Sequence, residues 1–213
     1  MTLAGALVFF GRRRRKTEPE MVPAAPTATA VTAAEATDPL MPVPSGARPA
    51  ITLDLTIQQA GIDGDMLCVG FEIALHNEGE VAATDLRLHV ELRTEDARAQ
   101  LPTADRPADP IDRPMAEPIA LAPGADVVLA AKAVLPVAQI NRLMLQGRPM
   151  CVPVVVLSAR YRWAGGGKAE LGVDYLIGID RPGNPRLGPF WLDVPPRLYD
   201  RIGMRLHGAV RKR

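Results

Sequence analysis

At 213 residues, 47% apolar and 23% charged, the chain is long enough for one sizeable domain or two small ones and too apolar for wholesale disorder. Aromatic residues make up only 4%, so a core of Val, Leu, Ile and Ala is expected, and a chain of this size buries roughly 68 to 70% of its unfolded surface without disulfides. The net charge of +1 is uneven: Arg12 to Lys16 carry +5, residues 17–180 hold 12 basic against 22 acidic side chains, or −10, and residues 181–213 hold 8 against 2, or +6. No aromatic residues interleave with the basic runs as base stacking would require, so nucleic acid is not an expected partner.

Met1 to Gly11 is almost wholly apolar and runs into Arg12-Arg13-Arg14-Arg15-Lys16, the pattern of a membrane span meeting its stop-transfer charges. Eleven helical residues reach only about 16 Å, against a hydrocarbon core of about 30 Å. The expectation is that residues 1–16 are the distal part of a single span whose start lies upstream; a short apolar tail is the alternative. The charges follow the apolar run instead of preceding it, unlike a signal peptide. Five cations beside a span are held on the cytoplasmic side, so the body is expected to face the cytoplasm from the inner membrane. Residues 17–50, rich in Pro, Ala and Thr and without periodicity, read as a flexible tether.

Structure is expected from Ile51. Ile51, Leu53, Leu55 and Ile57 alternate with Thr52, Asp54 and Thr56 as a first strand, and Asp63-Gly64-Asp65 turns the chain. Met66 to Arg93 then holds two alternating runs across the turn Asn77-Glu78-Gly79-Glu80: Val69, Phe71, Ile73 and Leu75 in the first, Leu86, Leu88, Val90 and Leu92 in the second. A period of two sustained over nine residues fits a strand with one wet face and no helix. Residues 94–118 contain five prolines and read as a long surface connection. Ile119 to Leu121 is a short strand, Pro123-Gly124 a turn, and Val127 to Leu135 a further strand. Ala138 to Leu145 suggests one or two helical turns. Val152 to Trp163 and Lys168 to Ile179 form a hairpin closed by Ala164 to Gly167. One-sided strands without a long helix predict an all-β, antiparallel sandwich over residues 51–180.

The run Val69-x-Phe71-x-Ile73-x-Leu75-x-Asn77-x-Gly79, followed by Ala82, by Leu86-x-Leu88 and by Ile119-x-Leu121-x-Pro123-Gly124, resembles the adhesion-type immunoglobulin-like domains known as CARDB, over about residues 51–135. The chain is also similar to uncharacterised single-span alphaproteobacterial proteins in which a membrane helix and an arginine cluster precede a sandwich. There, sequences matching Tyr161-Arg162-Trp163 and Leu187-Gly188-Pro189-Phe190 recur. The resemblance implies an immunoglobulin-like fold and no particular ligand.

In residues 181–213, Leu198 and Ile202 are spaced to share one face of a short helix stopped by Gly203. This basic extension is expected to fold back over the sandwich, because leaving Phe190 in water would forgo about 1.5 to 3 kcal/mol. Phe190, Trp191 and Tyr199 are also candidates for docking an unknown protein partner.

Catalytic groups are sparse: His76, His89 and His207, Ser45 and Ser158, Cys68 and Cys151. Ser158 sits within a strand without a Gly-x-Ser-x-Gly turn, and no histidine or cysteine spacing matches a metal site. Glu72 and His76 share a strand face, but nothing else converges on them. Asp105, Asp109, Asp112 and Glu117 lack a calcium-loop spacing. Cys68, on the face of Gly70 and Glu72, is expected to be an outward, unbonded thiol, and Cys151 unbonded too. No catalytic residue, metal or cofactor is assigned. The expected function is a non-enzymatic, membrane-tethered, monomeric module for protein–protein interaction or envelope assembly. The alternatives are an enzyme such as a hydrolase with an unrecognised site, or a module whose basic tail, from Arg205 and His207 to Arg213, touches anionic lipid.

Overall fold

The computed structural model describes residues 6–13, 46–96 and 114–212. Most of the Pro-rich tether, the centre of the 94–118 connection with Asp105, Asp109 and Asp112, and Ser45 lie outside the described residues.

Two antiparallel sheets face one another. In the first, β2 (Ile51–Asp63), β3 (Met66–Asn77) and β6 (Asp126–Pro136) stand in the order β2-β3-β6. In the second, β4 (Ala83–Thr94), β5 (Ile119–Leu121), β9 (Pro153–Arg162) and β10 (Lys168–Arg181) run β5-β4-β9-β10. The chain crosses between layers after β3, returns after β5 and crosses again after β6, giving an immunoglobulin-like β-sandwich. Val69, Phe71, Ile73 and Leu75 of β3 and Leu129, Ala131 and Ala133 of β6 meet Leu86, Leu88 and Leu92 of β4 and Val155, Leu157 and Ala159 of β9 in one core. The period-two pattern thus sets which face of each strand is dry.

The two runs on either side of Asn77 are not a hairpin. Strand β3 pairs with β2 and β6, β4 pairs with β9 and β5, and the intervening turn carries the chain from one sheet to the other. Asn77, with no exposed surface, makes that crossing. Its Oδ1 accepts from the Ala50 and Gly79 N–H groups at 3.2 and 3.1 Å, and its Nδ2 donates to Val81 O and Leu121 O at 2.9 and 3.0 Å. Its backbone binds the turn before β6, through Ala125 O at 3.1 Å and the Gly124 N–H at 2.8 Å. Gly79 packs so closely on the lead-in segment that a Cβ there would lie 2.6 Å from Arg48 O. The Asn-x-Gly signal therefore marks a junction of three chain segments.

The run Ala6–Arg13, expected as part of a helical span, is the extended strand β1, which pairs with β6 from Ala6 opposite Val134 to Arg13 opposite Val128. Among the described residues no helix is long and apolar enough to cross a membrane. The helical expectation for 138–145 is replaced by one 3-10 turn (Val137–Gln139) and a hairpin of β7 (Leu143–Leu145) and β8 (Arg148–Cys151). The connection after β4 is also less external than expected, since Met115 is buried and its N–H donates to Leu88 O at 2.7 Å.

The C-terminal extension is built of strands. After β11 (Asn184–Gly188) come β12 (Phe190–Trp191), β13 (Leu198–Tyr199), β14 (Ile202–Leu206) and β15 (Arg211–Lys212). The segment β11, β14 and β15 lie along β10, β12 pairs with β8, and β13 pairs with β2. Leu198 and Ile202 belong to two strands and not to one helix. A helix this short carries the full cost of nucleation, whereas the open edges of β2 and β10 supply hydrogen-bond partners to an extended chain.

Candidate binding cleft

The extension seals most of the side of the sandwich between β2 and β10, and stops short at one end. Strand β15 reaches Leu171 and Gly172, and β14 covers Tyr175 to Ile179. The edge of β10 at Lys168 to Glu170 has no strand beside it among the described residues, apart from β9 on its other edge. Opposite it, β2 begins at Ile51 with only β3 as neighbour until Ala60. Between them opens a cleft of about 330 Å³, walled by the lead-in residues Arg48 to Ala50 and by the end of the β9–β10 hairpin.

Its floor is aromatic. Tyr161 and Trp163 lie with ring centroids 6.2 Å apart and planes inclined at 40°. Tyr161 packs against the core, and its Cα partner on β10 is Ala169. Burial pushes its phenol up from the usual tyrosine range, while Arg48 and a hydrogen bond from the Ile51 backbone oppose that shift. Trp163 lies flat over Gly167, where any side chain would strike the indole.

The rim is charged. Arg48, Lys168 and Lys212 line the cleft, and none is ion-paired with a carboxylate among the described residues. Two carboxylates also line it, and one of these, Glu170, is held by Arg160 at 3.2 Å. The balance favours a ligand that brings negative charge and an apolar group.

No family model, curated protein or solved structure matches the chain.

The residues singled out in the C-terminal extension lie elsewhere. Phe190 is buried at 1% exposure and meets Tyr199 edge to face, with centroids 5.8 Å apart. Trp191 and Tyr199 are half-buried, and each already carries a guanidinium: Arg148 stands 4.2 Å above Trp191 and Arg197 4.5 Å above Tyr199. Arg148 is oriented by Asp193, at 2.7 and 3.0 Å, which holds that carboxyl below its usual range. Phe190 is thus a core-covering residue, and the two others are faced by the chain's own cations.

Three further groups complete the survey. Glu72 and His76 sit half-buried on the outer face of β3, and His89 is in the opposite sheet. Cys68 and Cys151 are both free and buried. Cys68 points to the outer face with Gly70 and Glu72, but it is covered there: only 3% of it is exposed, with Lys132 reaching the sulfur. Burial raises both thiols, Cys151 to about 12. Among the described residues no group of three or more His, Cys, Asp or Glu is placed to hold a metal ion.

Sequence reading missed Asp174. It alternates with core residues as a solvated position would, yet it is fully buried, with Arg93 at 3.2 Å and Arg211 at 2.9 Å on its two oxygens. Arg211 lies directly over Gly172, where a Cβ would come within 2.8 Å of Nε. With His207 3.0 Å from Glu95, this cluster fastens β15 and the chain before it to the outer face of the second sheet. Arg211 and His207 of the basic tail are thereby occupied.

Proposed function

We propose that the protein is a non-enzymatic protein–protein interaction module, a β-sandwich that takes its partner in the cleft between Arg48 and the β9–β10 hairpin. The observation that carries this reading is the combination in one opening of an aromatic floor and, among the described residues, a strand edge without a neighbour at Lys168 to Glu170 and three cations without ion pairs. Unsatisfied strand edges are recurrent peptide-binding surfaces, and exposed aromatic rings are recurrent interface anchors. The resemblance to adhesion-type immunoglobulin-like domains is in keeping with a binding role.

The reading includes attachment to the inner membrane through the N-terminal segment, with the sandwich in the cytoplasm. Its support is the apolar run Met1 to Gly11 followed by five cations. The strand pairing of Ala6–Arg13 with β6 is a second use of the same residues, so the attachment is tested separately, by C-terminal reporter fusions that signal on one side of the membrane only. Activity of an exported reporter alone refutes the cytoplasmic placement.

The binding role is tested by placing a photo-crosslinking residue at Lys168 in the full chain and irradiating intact cells. A discrete adduct that is absent when the crosslinker stands at exposed Pro182, on the far end of β10, supports the reading. Equal labelling from both positions refutes it.

A further inference from the structure

We infer that the ligand of this cleft is an acidic, extended peptide segment of a partner, which adds to the edge of β10 at Lys168 to Glu170 as a strand in line with β15. The inference rests on the binding-module reading and names the chemistry of its partner.

The argument begins with the strand that is already there. Lys212 pairs with Leu171 and Arg211 with Gly172, so β15 occupies the edge of β10 up to Leu171, and the next three residues have no neighbour on that edge among the described residues. A strand laid on those residues continues the sheet and fills the cleft, because the cleft is lined by the same residues, Lys168 to Leu171, and by the start of β2. Backbone hydrogen bonding to a sheet edge is independent of the ligand's sequence, and the pockets on either side of the added strand set its specificity.

Strand periodicity then dictates what those pockets receive. On β10, Leu171 and Val173 face the core, so Ala169 faces inward with them while Lys168 and Glu170 face outward. Alternate residues of the ligand therefore meet two different surroundings. Those turned inward meet Tyr161, Trp163 and Ile51 and are apolar or aromatic. Those turned outward meet Lys168, while Lys212, whose Cα partner Leu171 faces inward, stands with Arg48 on the inward side of the cleft. Of the two carboxylates on the cleft, Glu170 is held by Arg160, which leaves Glu78 against three cations. The motif that satisfies both sides carries acidic residues at its outward positions and apolar residues, with an acidic one beside Lys212, at its inward positions, over about five residues. A basic ligand places its charges against three cations.

The test uses the full chain and a fluorescein-labelled peptide, Glu-Val-Glu-Phe-Glu-Val-Glu, read by fluorescence anisotropy at low ionic strength. Its controls replace every Glu with Gln, every Glu with Lys, or both Val with Pro, which removes backbone donors and disfavours strand addition. The expected result is binding of the acidic peptide at least tenfold tighter than of the Gln and Lys forms, weakening with salt, and lost in the Pro form. The exposed substitution pair Lys168→Glu and Lys212→Glu is expected to weaken the acidic peptide at least tenfold, and Trp163→Ala to do so without changing the salt dependence. Lys168→Gln with Lys212→Gln serves as a milder pair should the double reversal disturb the fold. Equal affinity for the acidic and Gln peptides, an unchanged affinity in the variants, or no binding overturns the inference. An adduct from Lys168 in cells together with any of these failures removes the acidic strand and leaves the binding module; absence of both removes the module as well.

Discussion

Replacing Asn77 by Ala should be among the most damaging single changes in the sandwich, although the residue lies in a turn. Its side chain makes four hydrogen bonds to backbone groups of four separate residues, Ala50, Gly79, Val81 and Leu121, and none of it is exposed. Deletion leaves all four groups without that partner. The two carbonyls, Val81 O and Leu121 O, lose fully buried bonds, and a buried polar group left unpaired costs about 1–3 kcal/mol. The two N–H groups lie in partly buried bonds, where water offsets part of the loss. A total of about 3–5 kcal/mol follows, a large share of the 5–15 kcal/mol that stabilises a typical domain. For a chain of this length that is a fall in Tm of roughly 6–20 °C. Equilibrium urea denaturation followed by Trp fluorescence measures it. Asn77→Asp sharpens the test: it keeps the acceptor for the Ala50 and Gly79 N–H groups but turns a carboxylate oxygen toward two carbonyls. Desolvation and that repulsion raise the carboxyl's folded pKa, so the variant should be closest to wild type at low pH and lose stability as pH rises through the raised value. A loss below 1 kcal/mol in Asn77→Ala, or a pH-independent difference in Asn77→Asp, would falsify the view of Asn77 as the junction between sheets.

Asp174→Ala should destabilise the fold by about 2–4 kcal/mol, less than for a wholly buried ion pair because Arg93 and Arg211 keep 25% and 21% of their side chains exposed; an unchanged urea midpoint would refute the role given to the cluster. Gly172→Ala, which pushes the Arg211 guanidinium off its seat, should speed tryptic cleavage after Arg205 with a smaller effect on global stability, and equal cleavage rates would contradict the fastening of the tail. Burial holds the Cys151 thiol near 12, so its stabilising contribution is complete below about 9 and falls as pH rises from 9 toward 12; a thermal midpoint that stays level across that window, in a Cys68→Ser background, would count against it. Ending the chain at Asp180 removes buried Phe190 along with the strands on the β10 edge, and should cost at least the about 3–5 kcal/mol typical of deleting a buried aromatic side chain; a melting midpoint equal to that of the full chain would show that the extension is dispensable.

The sandwich was legible because its strands are one-sided. Val69 to Leu75, Leu86 to Leu92 and Leu129 to Leu135 place alternate residues in the core as their period requires, and the Ala164 to Gly167 turn closes the hairpin expected of it. A turn signal reports that the chain reverses, but not which layer the next strand joins, so Asn77-Glu78-Gly79-Glu80 read only as a turn, where the structure makes a crossing. Leu198 and Ile202 carry helical spacing, and the open edges of β2 and β10 override it through pairings distant in sequence. The cleft escaped notice for a similar reason. Arg48, Trp163, Lys168 and Lys212 come from the lead-in, the hairpin and the tail, and nothing local to any of them announces the others. Tyr161-Arg162-Trp163 stood out only by resemblance, and Asp174 was hidden because a buried ion cluster and a wet strand position share the same alternation.

The strands that seal β10 follow it in the chain, and until they dock both sheets are paired on one side and open along the other. Strand β2 waits for β13, well over a hundred residues later, before its edge at Ala60 and Gly61 is paired. Until the tail docks, these edges can accept an extended chain, and the tail of a second copy would make the same pairings as its own, so closure within one chain draws on the high local concentration of a tail tethered beside its own sheet.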